Sequence, residues 1–396
     1  MAEGTQSGAP VAKPPVWNDP KYRAIFFQVL VLALVIGFGA YLVNNTLDNL
    51  ARQGIASGFD FLGTTAGFSI GMTLIEYAET STYGRAFLVG LLNTLLVSVI
   101  GVVFATILGF IIGVARLSNN WLISALAAVY IEVLRNIPLL LQLFFWYFAV
   151  LRTLPSPRQS VSVLETFFLN NRGLQSPAPV TEPGFWLIPT AVVVAIVAIV
   201  FLARWAHRRQ EETGQQFPTF FSALGLFIGL PLLAAIVSGF PIHWDIPVLK
   251  GFNFKGGMTM VPEFVALVAA LSSYTAAFIA EIVRAGITAV SHGQTEAAYA
   301  LGLRPGPTLR LVIIPQALRV IIPPLTSQYL NLTKNSSLAA AIAYPDIVLV
   351  FAGTVLMQTG QAVEIIAITM AVYLTISLVI SAFMNWYNKA MALVER

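Results

Sequence analysis

Glu132, Arg135, Leu139 and Gln142 recur at i, i+3, i+7 and i+10 inside a long apolar run, which on a continuous helix is one face. An arginine in the apolar part of a membrane span costs on the order of 2.5–3.5 kcal/mol, so Arg135 is expected to face a bundle interior. Two chemistries fit it. One is an ion pair with Glu132, one turn away, that rigidifies the helix. The other is two-pronged capture of a carboxylate in transit. Pro138, beside the stripe, removes a backbone donor and predicts a kink with a freed carbonyl near Leu134. A second polar set, Gln328, Tyr329, Asn331, Lys334, Asn335, Ser336 and Ser337, follows Pro323-Pro324. It reads as unwound backbone lining a cavity, or as hydrogen bonding between helices. Glu281 and Arg284, also three apart, form either a salt bridge anchoring a helix end or a gate or docking contact. The candidate pathway residues are therefore Glu132, Arg135, Gln142, Gln328, Asn331, Lys334 and Ser336.

Several chemistries lack their parts. Gly67-Phe68-Ser69-Ile70-Gly71 matches a hydrolase nucleophile pattern that has meaning only on the strand–turn–helix of an α/β sheet. The chain shows no such alternation, and His207, His243 and His292 lie far apart. No paired histidines suggest a metal site. With no cysteine, neither disulfide nor thiolate chemistry is available. No phosphate-binding G-x-x-x-x-G-K-[ST] loop occurs, so any ATP that drives this protein is bound by another polypeptide. The chain is expected to be neither an enzyme nor a holder of cofactor or metal.

The elements that must position these residues are membrane spans. With 57% apolar and 10% charged residues, the chain departs from soluble domains, which carry roughly 25% charged residues. The reading is all-α, with eight spans near 24–43, 87–114, 122–151, 186–205, 219–239, 263–284, 325–357 and 363–384. The seventh is too long for one straight crossing and contains Lys334, Pro345 and Asp346, so a broken or re-entrant piece is expected there. Residues 1–23 form a polar tail rich in Ala, Gly and Pro, expected to be disordered. Most basic residues, among them Arg116, Arg204, Arg208, Arg209, Arg304 and Arg310, fall on the amino-terminal side of the membrane. The positive-inside rule then puts both termini in the cytoplasm. The net charge of +4 is accounted for by these loops and does not suggest nucleic acid. Gly54–Tyr77 is glycine-rich, carries Asp60 and has no continuous apolar run, so it is read as an outer loop near the interface; a span there would reverse everything downstream.

Between two apolar runs on the cytoplasmic side lies Gln294-Thr295-Glu296-Ala297-Ala298-Tyr299-Ala300-Leu301-Gly302. Its residues predict a helix of about two turns, capped by Gly302 and followed by Pro305. Such a helix cannot hold itself together in water and needs a partner surface. Ala297, Ala298 and Leu301 are expected on one side as a small-residue face. Gly109-x-x-x-Gly113 predicts close helix packing in the second span.

Gly293-Gln294, Glu296-Ala297-Ala298, Gly302 and Val312-Ile313-Ile314-Pro315 together resemble the EAA loop of permease subunits in binding-protein-dependent ABC importers. The flanks Glu281–Ile287 and Lys334–Leu338 resemble the polar amino acid branch, and the whole chain is similar to the larger permease subunits of general L-amino acid importers. Arg135–Gln142 resembles the family's Arg-Gly-Thr-Pro-Leu stretch, departing at Asn136 and Ile137. The resemblance implies a type I importer core of five spans, here the second, third, sixth, seventh and eighth, in the bacterial inner membrane. It implies an addition at 24–85, core segments at 86–151 and 263–396, an insert at 152–262 and a coupling loop at 291–315. Gly293, Gln294, Glu296, Ala297, Ala298, Leu301 and Gly302 would dock on a separate ATPase, present in two copies and holding the ATP and Mg. A second homologous permease would complete the pathway, and a periplasmic amino-acid-binding protein would deliver L-amino acids. An ion-coupled secondary amino acid transporter is the alternative. It predicts inverted repeats and buried carboxylates, whereas no repeat is evident and only Glu132, Glu281, Asp346 and Glu364 lie in or near spans.

Overall fold

The structure is a computed structural model and describes residues 20–52, 54 and 57–390. The expected disordered tail falls largely outside these residues, and Pro20 to Arg23 already belong to the first helix. Among the described residues, seven helices are long and apolar enough to cross a membrane, or eight when one bent pair counts as a single span. They are α1 (Pro20–Arg52), α2 (Tyr83–Ala115), the bent pair α3 (Trp121–Asn136) and α4 (Leu139–Leu151), α5 (Leu187–Thr213), α6 (Thr219–Val237), α7 (Pro262–Thr288), α9 (Pro305–Ile342) and α11 (Ala362–Ala390). Two shorter helices, α8 (His292–Ala300) and α10 (Val348–Thr359), stand between them.

Small residues build the core. Helices in lipid associate by close packing, because lipid tails are as apolar as leucine. A Cβ on Gly109 would lie 2.6 Å from the Ile279 Cβ, and one on Gly113 would lie 2.7 Å from the Ala280 carbonyl. The two glycines of the GxxxG thus bring α2 directly against α7. Gly286 of α7 admits Ile321 of α9 in the same way. α1, α5 and α6 do not share this core. Ala195 and Ala206 are the buried residues of α5, α6 has none, and nothing in the spanning part of α1 is buried.

Two spans differ from expectation. The third is not one straight helix, since α3 and α4 meet at 107°. Proline disfavours helical backbone in the residue before it, and both Ile137 (ψ 128°) and Pro138 (ψ 135°) are extended. The result is a corner in place of the expected kink. The seventh begins at Pro305, well before residue 325, and α9 runs through Pro323 and Pro324 unbroken. The chain turns instead at 343–347, where Ala343 takes a left-handed φ of 61°. Asp346 there caps α10, its Oδ1 accepting from the Leu349 amide at 2.8 Å.

The insert is not made of loops alone. The stretches between α4 and α5 and between α6 and α7 form eight short strands, β1 (Val161–Val163), β2 (Phe167–Asn170), β3 (Gly173–Ser176), β4 (Ala178–Thr181), β5 (Ile242–Asp245), β6 (Val248–Lys250), β7 (Asn253–Lys255) and β8 (Met258–Met260). All pairs are antiparallel, in the orders β1-β2-β3-β8, β4-β5 and β6-β7. Leu174 opposite Met260 and Val180 opposite His243 join chain before the α5–α6 hairpin to chain after it.

Residues 57–82 contain no spanning helix. Phe61 and Ala66 are buried against Tyr83, Ile347, Phe351 and Ile365. The Gly58 amide donates to Glu364 at 2.8 Å, and Asn93 of α2 donates to the Met72 carbonyl at 2.9 Å. Tyr77 donates to the Phe68 carbonyl, and burial, followed by nearby Glu79, raises its pKa above the usual tyrosine value.

Candidate functional site

The short helix α8 spans His292–Ala300, and its end is a double backbone cap. The Gly302 amide donates to the Tyr299 carbonyl at 2.9 Å and the Leu303 amide to the Ala298 carbonyl at 3.1 Å. This is the Schellman arrangement, which needs a left-handed residue, and Gly302 supplies it with φ 77°. Gln316 of α9 holds the helix by donating to Gln294 at 3.3 Å. The expected small-residue face is divided. Ala298 is buried against the chain's own body, whereas Gly293, Gln294, Glu296, Ala297 and Gly302 are exposed, and Leu301 is 82% exposed. Helical residues i and i+1 diverge by about 100°, so Ala297 and Ala298 serve different surfaces. Glu296 reaches His292 at 3.1 Å within the helix. What α8 offers outward is a short ridge with an apolar tip at Leu301, which is 82% exposed among the described residues.

At the α3–α4 corner the polar stripe is dispersed, because a break of 107° ends any common face. Gln142 is buried and stitches the break, donating to the Leu134 carbonyl at 2.8 Å and the Ile137 carbonyl at 2.9 Å. The freed carbonyl predicted from Pro138 is thus satisfied by a side chain. Glu132 and Arg135 do not form the expected pair. Asn136 donates to the Glu132 backbone carbonyl at 2.7 Å, while the Arg135 guanidinium lies 5.3 Å from the centre of the Phe278 ring on α7. Both remain exposed. Glu281 and Arg284 do form an ion pair, with Nε to Oε2 at 3.0 Å, and Arg135 and Arg116 lie within electrostatic reach of Glu281.

Along α9, Gln328, Asn331 and Lys334 sit on regular helix and not on unwound backbone. Asn331 and Lys334 are exposed. Tightening to a 3-10 helix starts at Ser336, which is buried and donates to the Thr333 carbonyl at 2.7 Å. The cluster brought together most tightly was not expected from sequence. Asn93 donates to the Pro345 carbonyl at 2.9 Å, Tyr344 donates to the Asn93 carbonyl at 3.2 Å, and the Ile347 amide donates to Thr94 at 3.0 Å. This buried knot locks the turn at 343–347 onto α2, where Gly90 permits the approach: a Cβ there would lie 3.0 Å from the Ile347 Cα. The signal was visible as Asn93-Thr94 amid leucines.

The histidines face three different glutamates, His207 with Glu211, His243 with Glu182 and His292 with Glu296. Ser69 lies in coil, away from any strand–turn–helix.

The family described as the binding-protein-dependent transport system inner membrane component matches residues 212–393. The chain is 57% identical over 378 residues to the general L-amino acid transport system permease protein AapQ of Rhizobium johnstonii, covering 96% of this chain and 94% of that one. It is 60% identical over 378 residues to the putative amino-acid ABC transporter permease protein YhdX of Escherichia coli, covering 96% of each. It is 45% identical over 409 residues to the glutamate/glutamine/aspartate/asparagine transport system permease protein BztB of Rhodobacter capsulatus, again covering 96% of each. The chain belongs to the inner-membrane permease family of binding-protein-dependent transport systems, as a transport component built of membrane-spanning helices.

Proposed function

We propose that this chain is one permease subunit of an ATP-driven importer that takes L-amino acids from an outer binding protein into the cytoplasm. The observation that carries the reading is α8, a helix too short to stand alone, held by its Gly302 cap and presenting Leu301 outward. It is the coupling helix, seated on an ATPase that is a separate chain in two copies and holds the ATP and Mg, since this chain has no phosphate-binding loop. Gly293, Gln294, Glu296, Ala297, Leu301 and Gly302 face that partner, and Ala298 fixes the helix from behind. Both termini lie in the cytoplasm. The likeness to amino acid permeases supports the substrate class.

The exposed charges support a second permease. Charged Arg135 and Lys334, with polar Asn331, lie in otherwise apolar helices yet are uncovered in the single chain. Charges in a bilayer face protein or a water-filled path. A homologous permease chain opposite this one would enclose them, and the amino acid would pass between the two. The β-stranded insert lies outside, where the binding protein docks. No specific observation favours ion-coupled transport. The test is Leu301→Asp in the complete transporter. Leu301 is 82% exposed, so the fold tolerates the change, and uptake is expected to fall while the subunit reaches the membrane at normal levels. Normal uptake would remove the coupling assignment.

A further inference from the structure

On the outer side, a cleft of about 320 Å3 opens between residues 68–71, the first turn of α7 and the turn at 343–345. Small-molecule sites have volumes of roughly 300–1,000 Å3, so it is of a size for a small solute. Its walls mix apolar side chains, Phe68 and Leu349 among them, with polar groups such as Ser69 and Thr354. Glu263 is the single ionisable side chain on the walls among the described residues. Its Oε1 accepts from the Tyr147 hydroxyl at 2.7 Å, and its Oε2 receives no hydrogen bond among the described residues. Tyr147 is itself buried, and Arg152 lies over its ring at 5.2 Å without lining the cleft. One carboxylate oxygen is therefore fixed while the other is open to the cleft.

The outer wall is tied down independently. Asn93 donates both to Met72, just beyond the wall, and to Pro345, on the opposite side of the cleft. Tyr77 donates to Phe68. The wall comes from the stretch that precedes the core helices, so the cleft joins the chain's addition to its core. A half-buried carboxylate with a free oxygen is suited to an ammonium group, because charge-assisted hydrogen bonds are about twice as strong as neutral ones.

We propose that this cleft is an entry site for a zwitterionic amino acid, in which Glu263 receives the α-ammonium and residues 68–71 form the outer wall. The proposal rests on the amino acid reading above. Every L-amino acid carries the α-ammonium, so such a site would hold the common group and leave the side chain to the mixed polar and apolar walls.

The chain has no cysteine, so Ser69→Cys introduces its single thiol. In the complete transporter in proteoliposomes, millimolar L-glutamine should slow labelling of that thiol by an impermeant maleimide about threefold or more, following site occupancy. Protection should vanish when Glu263→Gln is added and persist when Tyr147→Phe is added. N-acetylglutamine, which lacks the ammonium, should not protect. Uptake should fall about tenfold in Glu263→Gln but less than about threefold in Tyr147→Phe, since the charged partner is worth more than the neutral one. Equal losses in the two variants, with no protection by glutamine, would make Glu263 a mere anchor for Tyr147 and overturn the proposal. Protection by N-acetylglutamine would overturn the ammonium assignment. If the unmodified transporter imported no amino acid, the substrate reading itself would fail. If it imported amino acids without protecting the thiol, only the entry site would fail.

Discussion

α6 and α7 are both apolar enough to cross a membrane, yet they are used in opposite ways. α7 buries Ala266, Ala270, Ala276, Ala277, Ala280 and Gly286 against neighbours on several sides. α6 carries Phe220, Phe221, Leu224, Phe227, Leu232 and Leu233 and buries none of its residues. Hydrophobicity decides that a helix enters the bilayer, and small residues decide whether it is packed there. The difference separates a core that must keep its shape from a hairpin that need only span. Substitutions that respect or violate this division should have unequal effects.

The largest is expected at Gly109. Gly109→Leu would drive a side chain into Ile279 and the Ala276 carbonyl, 3.0 Å from the added Cβ. Overpacking typically costs about 1–3 kcal/mol and more against backbone. Assembled transporter, read by size-exclusion chromatography in detergent, should be largely lost. Gly225→Leu on α6, where nothing lies within 4 Å, should assemble normally. Equal outcomes would erase the contrast.

Next is Asn93→Leu, which leaves the Met72 and Pro345 carbonyls without their donor. An unsatisfied buried polar group costs about 1–3 kcal/mol. The variant should unfold at a clearly lower temperature than the parent in the same detergent.

A smaller effect is expected from excising residues 184–239 and joining the ends with a tight turn. The Glu182 amide already donates to the Pro241 carbonyl at 2.9 Å, so the strands are in register for a hairpin. Uptake should stay within about threefold, equivalent to less than 1 kcal/mol. Loss of the protein from the membrane would assign the hairpin a place in the core.

The smallest belongs to Glu132→Gln. Its carboxylate has no arginine partner among the described residues, and Arg135 is placed against Phe278 instead. Its nearest partner is the Asn136 amide on its own helix, so neutralising it should change uptake less than about twofold. A large loss would return Glu132 to the transport path.

What could be read in the sequence was local. The helix at 292–300, its cap at Gly302, the close packing at Gly109 and Gly113, and the carbonyl freed by Pro138 all follow from short-range stereochemistry. The misreadings share a different origin. Pro138 predicted a bend but not its size, because the extended Ile137 beside it determines the corner. Pro323 and Pro324 looked like a break, but α9 continues through them because neighbouring helices can compensate for lost backbone bonds. The strands of the insert are three or four residues long, and two of their pairings, β3 with β8 and β4 with β5, reach across the whole α5–α6 hairpin, as Leu174 does to Met260. Nothing local marks such a partner. The outward direction of Leu301 and inward direction of Ala298 were likewise set by how α8 sits on α9.

Docking of α8 on the ATPase is tested most directly by cross-linking. In this cysteine-free chain, Leu301→Cys is a unique thiol 82% exposed in the parent residue. In the reconstituted transporter, a short thiol-directed photo-cross-linker at this position should join the chain to its ATPase. The same reagent at Asn253→Cys, on β7 among the strands, should not. An ATPase adduct from Asn253→Cys, or none from Leu301→Cys in a transporter that still imports amino acids, would contradict the coupling role of α8.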